Sequence, residues 1–399
     1  MFNMIFKVPL YHYVPAYKGS STCNVALFLS SLLLISNLFY RYLGVTNGDS
    51  TDIDWIPDTD DFINYINSVQ SFWVAEKNAL SKLTLSELEM RMGVHPDSKL
   101  PQNRLPLLVQ LSDPLEELPE GFDARINWPY CPTIQEIRDQ GSCGSGWALG
   151  AVEAMSDRVC IASRGKRHVR LSSDDLVSCC KDCGNGCQGG FHGKAWKYWV
   201  TTGIVSGGTY ASKQGCRPYE IPCERYMNGS RSSCQANEPN TPECIRKCQP
   251  GYDVSYEDDL NFGRIAYSLP ANEETIMREI FRHGPVEGSM TIYADMILYK
   301  TGIYKHVAGG PLGEHAIRII GWGQEPLGEG TSSVVKYWLV ANSFNTNWGE
   351  NGLFRIVRGQ NECGIEADIT AGLPKIGLEI DSNEINLGKM MTLPLTNRE

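Results

Sequence analysis

The chain has no run of basic residues and no basic helix, and its 36 Lys and Arg against 46 Asp and Glu leave a formal charge of −10. With nothing to neutralise a row of phosphates, nucleic acid is excluded as the main partner. No internal repeat and no low-complexity tract is present, so a repeat architecture is excluded as well. What remains is 399 residues of 42% apolar composition, enough to bury a core in two or three ordinary domains.

Charge is missing altogether from Gly19 to Tyr40, with the densest apolar stretch from Val25 to Phe39, Lys7 and Lys18 before it and Arg41 after it. This patterning resembles a secretory signal. The span also approaches the ~20 residues that cross a bilayer, so a signal anchor is the alternative, and membrane attachment follows only if this leader stays uncleaved. Ser30, Ser31, Ser36 and Asn37 dilute the run and favour the signal peptide. The sequon at Asn228 fits luminal exposure.

Fourteen cysteines cluster mostly between Cys131 and Cys248, in loop-like sequence that a reducing cytosol would not favour. Setting aside Cys23 in the leader leaves 13, an odd number that suggests six bridges and one thiol. Cys179, Cys180, Cys183 and Cys187 could be read as a zinc site, but an adjacent Cys-Cys pair suits tetrahedral ligation poorly. Disulfides are therefore expected, and no metal or cofactor is assigned.

Residues 1–48 form the leader and 49–117 an acidic segment and linker. Within the latter, Phe62, Ile63, Ile66, Val69, Phe72 and Trp73, then Leu80, Leu83, Leu85, Leu88 and Met90, predict two short amphipathic helices. Pro96 to Pro114 reads as an extended strap. Trp147, Ala148, Ala151, Met155 and Val159 predict a long buried helix over 146–162, and Arg264–Leu269, Val286–Ile292, His315–Trp322 and Val335–Ala341 read as strands, with a helix over Glu273–Arg282. A helical half followed by a β half implies two unlike subdomains meeting at a cleft. The residues after 376 form a polar, loosely held tail.

The segment Gln140-Gly141-Ser142-Cys143-Gly144-Ser145-Gly146-Trp147 closely resembles the nucleophile motif of papain-family cysteine peptidases, except that Gly146 stands where the motif has its second cysteine. Ile137-Arg138-Asp139-Gln140, Gly215-Cys216-Arg217-Pro218-Tyr219, His315-Ala316-Ile317-Arg318-Ile319 and Tyr337-Trp338-Leu339-Val340-Ala341-Asn342-Ser343 look like cathepsin B segments in the same order. The likeness runs from about Phe62 to Gly372. It implies a papain-like α+β fold over 118–376, with a helical left subdomain, a β-rich right subdomain and a cleft between them, preceded by a cathepsin B-type pro-segment.

By the same resemblance, His315 is the catalytic imidazole, Asn342 its orienting amide, Gln140 the oxyanion donor and Trp348 a shield. Gly189, Gly190, Glu314 and Asp368 border the binding cleft; Glu314 replaces a glycine, and Asp368 shortens an acidic residue that would favour basic side chains. An occluding-loop-like insertion spans 216–248, where Arg225 and Tyr226 replace a His-His pair. Phe344 replaces a tryptophan, Gln188 an asparagine and Leu149 a phenylalanine. The implied disulfides are Cys131–Cys160, Cys143–Cys187, Cys179–Cys244, Cys180–Cys183, Cys216–Cys248 and Cys223–Cys234, leaving Cys363 free.

A thiol peptidase needs a thiolate, a histidine to share its proton, a group to orient that imidazole and a donor for the oxyanion. Three of these four are present. The expectation is an inactive homologue in the secretory pathway, lysosomal or extracellular, whose cleft takes peptides, its own pro-segment or cystatin-like inhibitors. The alternatives are an active endopeptidase, if Gly146 is an artefact, and an extracellular interaction protein.

Overall fold

The computed structural model describes residues 57–108, 117–221, 240–327 and 333–376, and the strand backbone at 109–110, 226–227, 230–231 and 390–393. The leader, Arg225, the Asn228 sequon, the Cys223 and Cys234 pair and most of the tail lie outside these residues, and of Tyr226 only the hairpin backbone pairing with Arg231 is described.

The central helix spans Gly146–Ala162 and is buried from Gly146 to Cys160, because its apolar positions are supplemented by Gly, Ala and Ser and its charged residues Glu153, Asp157 and Arg158 meet buried partners. It ends where Arg164 and Gly165 turn to φ of 53° and 76°, the left-handed conformation usual at a helix C-terminus. Trp147, Ala151, Met155, Leu176, Trp196 and Trp199 join it to the shorter helices Ser173–Cys179 and His192–Thr201 in the core of the helical lobe. Five disulfides are present among the described residues: Cys131–Cys160, Cys143–Cys187, Cys179–Cys244, Cys180–Cys183 and Cys216–Cys248, while Cys363 is free.

The other lobe is a sheet whose strands run, edge to edge, Trp73–Ala75, Tyr299–Tyr304, Leu353–Val357, Val334–Ala341, Pro311–Pro326, Val286–Tyr293, Ile369–Pro374, Gly263–Leu269, Leu107–Gln110 and Met390–Leu393. The strand Pro311–Pro326 is longer than the predicted His315–Trp322 and pairs antiparallel with both neighbours, placing His315 opposite Met290. Asn342 follows directly on the next strand, Val334–Ala341.

The pro-segment differs from expectation in three places and the tail in a fourth; the first is that Phe72 and Trp73 fall outside the first helix, with Trp73 in the edge strand Trp73–Ala75. Its first helix, Asp60–Val69, forms with Thr59 as N-cap and buries Phe62 and Ile66 in the apolar cluster of the β lobe. The expected second helix is split. Leu80–Lys82 makes one 3₁₀ turn, and a capping box between Thr84 and Glu87 starts a separate short helix at Leu85, because the cap forces extended backbone at Thr84. The strap is not fully extended either: Pro96–Lys99 and Pro101–Asn103 are 3₁₀ turns with proline in the first turn. Finally, Met390–Leu393 of the tail pairs antiparallel with Leu107–Gln110, so these four residues extend the sheet edge rather than hanging loose.

Candidate active site

The helical lobe presents the first turn of the central helix to the strand that carries His315. A Cβ added to Gly146 would fall 2.6 Å from His315 Cε1 and 2.8 Å from Nδ1, so the imidazole occupies the space a side chain there would need. His315 is fully buried, and its Nε2 lies 3.0 Å from Asn342 Oδ1. That amide oxygen also accepts from Ser343 N at 2.8 Å, which fixes the orientation of Asn342 and makes Nε2 the donor. Nδ1 is left without a hydrogen-bond partner, facing the helix start.

Burial pushes the pKa of His315 down to about 4, against the opposing effect of the Asn342 bond. The unfolded chain takes up this proton below its ordinary value of 6.5, whereas the folded chain refuses it until about pH 4. Stability is therefore lost as pH falls through that window, by about 3 kcal/mol for this group alone. An NMR titration should find the ring neutral at pH 5; a midpoint near 6.5 would contradict the burial argument.

Phe344 stacks on the His315 ring at 4.7 Å, and Trp348 stands edge-on to Phe344 at 5.7 Å with its Nε1 donating to Ile297 O. Trp348, the expected shield, thus stands in a second layer behind the ring. Gln140 Nε2 donates to Cys143 O and to Arg91 O, both at 2.8 Å, while its Oε1 accepts from Ser343 Oγ at 2.6 Å. The donor assigned to an oxyanion therefore holds a carbonyl of the pro-segment. The nearest nucleophile types are otherwise engaged: Ser145 Oγ is 2.7 Å from Tyr219 OH, and Cys143 is in its disulfide.

The pro-segment crosses the cleft as a single extended step. Gly190 N donates to Gly93 O at 3.0 Å, His95 N to Gly190 O at 2.9 Å, and Val94 N to Glu314 O at 3.0 Å, so Gly190 of one lobe and Glu314 of the other are bridged through three residues. Gly93 comes so close that a Cβ on it would sit 2.6 Å from Gly146 N, and only glycine fits. Gly189, at φ 97°, makes the adjoining turn by accepting from Asn185 N.

Asp368 is not a free carboxylate. His192 Nε2 lies 3.1 Å from its Oδ2, Arg104 Nε 3.1 Å from its Oδ1, and Ser98 Oγ donates to Oδ2 at 3.2 Å. Burial opposes its charge, but His192 and then Arg104 outweigh this and hold the carboxyl below the usual range. Burial likewise opposes charge on His192, and Asp368 beside it prevails, raising its pKa above the ordinary value. Glu314 meets Lys99 Nζ at 3.0 Å and accepts from Thr291 Oγ1 at 2.7 Å. Sequence reasoning missed His192, Ser98, Lys99 and Arg104. The available signal was a histidine two residues after Gly190, with an acid already assigned to the same cleft.

No helix among the described residues is long and apolar enough to cross a membrane. Residues 118–373 match the family described as papain family cysteine protease. The chain is 47% identical over 348 residues to a cathepsin B-like cysteine proteinase of Schistosoma japonicum, covering 86% of this chain and 98% of that protein. It is 44% identical over 326 residues to cathepsin B-like cysteine proteinase 6 of Caenorhabditis elegans, covering 80% and 84%. Among solved structures, procathepsin B S9 from Trypanosoma congolense superposes with a TM-score of 0.68 at 35% identity, over 80% of this chain and all of that one. Procathepsin L 3 of Tenebrio molitor, at 20% identity and a TM-score of 0.57 over 90% and 95%, shares the two-lobed fold and pro-segment. With the fold, the pro-segment and the match over 118–373 in agreement, the chain belongs to the papain family of cysteine peptidases, among its cathepsin B-like members.

Proposed function

We propose that this chain is a pseudoprotease, a cathepsin B-like homologue whose cleft binds without cutting. Gly146 carries the reading. It offers no thiolate, no proton for His315 Nδ1 to take and no atom to form an acyl-enzyme, although the start of the central helix is where the dipole would lower a thiol's pKa. An oxyanion donor and an oriented imidazole cannot replace the nucleophile; where one has been removed from a serine protease, only about 10³ to 10⁴-fold acceleration over water remains.

In this reading 49–117 is the pro-segment and 118–376 the peptidase-like domain, made in the secretory pathway and held in lysosomes or outside the cell. The clustered disulfides suit that compartment. Peptides or cystatin-like inhibitors reach the cleft only after another protease cuts near Leu118, since the chain cannot cut itself. Purified precursor held at acidic pH should keep its full length on intact-mass measurement; shortening with other proteases excluded overturns the proposal.

A second reading, an active cysteine endopeptidase, draws support from the relatives named as proteinases and from His315, Asn342 and Gln140 standing in place. It requires a cysteine codon at position 146, which sequencing from independent individuals decides.

A further inference from the structure

The expectation that the chain lacks a basic run fails at one place. Residues 164–170, Arg-Gly-Lys-Arg-His-Val-Arg, hold four of the 36 Lys and Arg within seven positions of a chain whose formal charge is −10. The segment follows directly on the central helix, where a single cation would complement the helix dipole; four exceed what that requires. We propose that this turn, together with the exposed ring of Tyr130, is a docking site for a linear sulfated polysaccharide. The inference needs neither the presence nor the absence of a nucleophile at position 146, so it stands apart from the pseudoprotease reading.

The turn is held in shape before any ligand arrives, which lowers the ordering cost of binding. Ser163 Oγ donates to Cys160 O at 3.0 Å and accepts from Arg167 N at 3.0 Å, Gly165 N donates to Cys160 O at 2.9 Å, and Cys160 is itself bonded to Cys131. Arg164, Lys166, Arg167 and His168 are all exposed. Arg167 donates through Nη2 to the neutral Asn261 Oδ1 at 2.6 Å, and neither it nor Lys166 meets a carboxylate among the described residues. Arg170 differs. Glu136 takes its guanidinium as a two-pronged pair and Gln214 Oε1 accepts from its Nη1, so it positions the segment rather than offering charge. An open groove of about 570 Å³ lies alongside, lined by Arg167, His168 and Arg170. The acids of that groove, Glu136 and Asp259, are already engaged, the first by Arg170 and the second by Ser206 and Tyr252.

Tyr130 supplies an independent observation. It is 45% exposed, and its ring lies against the turn: a Cβ added to Gly165 would fall 2.8 Å from Tyr130 Cδ2. A flat apolar face beside fixed cations suits a sulfated sugar, whose C–H face covers the tyrosine while its sulfates meet Lys166 and Arg167. The disulfides place the chain in an oxidising compartment, where sulfated polysaccharides are abundant polyanions and nucleic acids are scarce. The patch stands at the opposite end of the central helix from Gly146, roughly 24 Å away at 1.5 Å per residue, so a docked polysaccharide leaves the cleft free.

The test is surface plasmon resonance of the full-length chain over immobilised heparin at neutral pH. The wild type should bind despite its net negative charge, and its Kd should rise at least about 10-fold between about 50 and 200 mM NaCl, as expected where about three cations meet sulfates. Lys166→Gln combined with Arg167→Gln should weaken binding at least about 10-fold and flatten the salt dependence. Tyr130→Ala should weaken it severalfold with the salt dependence unchanged, since stacking releases no counterions. Lys336→Gln, at a cation of the β lobe paired with Glu273, should change nothing. Urea midpoints check that the variants fold, and should Tyr130→Ala be unstable, the Lys166 and Arg167 variant decides. A wild type that fails to bind at the lower salt, or a double variant that binds as tightly as wild type, overturns the site. Double-stranded DNA or phosphatidylserine vesicles bound as tightly as heparin overturn the assignment to a polysaccharide.

Discussion

Replacing Gly146 by cysteine is expected to raise peptide hydrolysis at least about 10³-fold over wild type, once an added protease has removed the pro-segment from both. His315, Asn342 and Gln140 already stand around the position, and the helix start favours a thiolate. The gain should stay short of a fully adapted enzyme. A new Cβ would meet His315 Cε1 at 2.6 Å, so the ring must retreat by about 1 Å to reach ordinary contact. Phe344, stacked on the ring, resists that shift. A fluorogenic peptide assay with matched active-site titration measures the effect; equal rates in the two proteins would mean that the site fails for reasons other than the missing sulfur.

The largest stability effect is expected at Arg318. This fully buried guanidinium, on the same strand as His315, donates to Asp157 Oδ2 at 2.6 Å, to Thr133 O at 3.2 Å and to Glu136 O at 2.7 Å, and stands 3.7 Å from Glu153 Oε2. Glu153 and Asp157 project from the central helix, so Arg318 bolts that helix to the sheet and sets the distance between Gly146 and His315. Arg318→Ala would take from two buried carboxylates their main cation, leaving only Arg138 beside them, at a cost of about 3–5 kcal/mol. That is a large part of the roughly 5–15 kcal/mol that holds a domain together. Urea unfolding should show the midpoint falling with little change in slope, whereas Lys77→Ala, which breaks a pair with the 81%-exposed carboxylate of Asp60, should leave the midpoint nearly unchanged. Similar midpoints for the two variants would show that the buried network contributes little.

How much of this was legible from residues alone depended on the kind of interaction. The central helix was readable to its ends, since Trp147, Ala151, Met155 and Val159 keep helical spacing and Gly165 stops it. The fold and the cleft followed from segments matching a known family. The acids of that helix were not readable as core: Glu153 and Asp157 look like a solvated face until Arg318 arrives from 161 positions away, a contact that local periodicity does not encode. The pro-segment's second helix failed for a local reason, because the Thr84–Glu87 capping box outweighed the apolar spacing around it. His192 was overlooked because a single histidine carries little pattern beyond its place two residues after Gly190; only the fold sets it beside Asp368, 176 positions later. That pairing also revises the expectation for Asp368. With His192 and Arg104 against it, this carboxylate is already neutralised, and a preference for basic ligands requires displacing Arg104 first.

The most direct measurement is intact-mass analysis of the wild-type chain after its pro-segment has been cut away and an excess of an epoxide thiol-protease probe added, beside the Gly146→Cys variant treated identically. The expected result is one adduct on the variant and none in the cleft of the wild type. A wild-type adduct mapped to residues 140–150 would mean that a nucleophile operates beside His315 after all, and the account would be wrong at its centre.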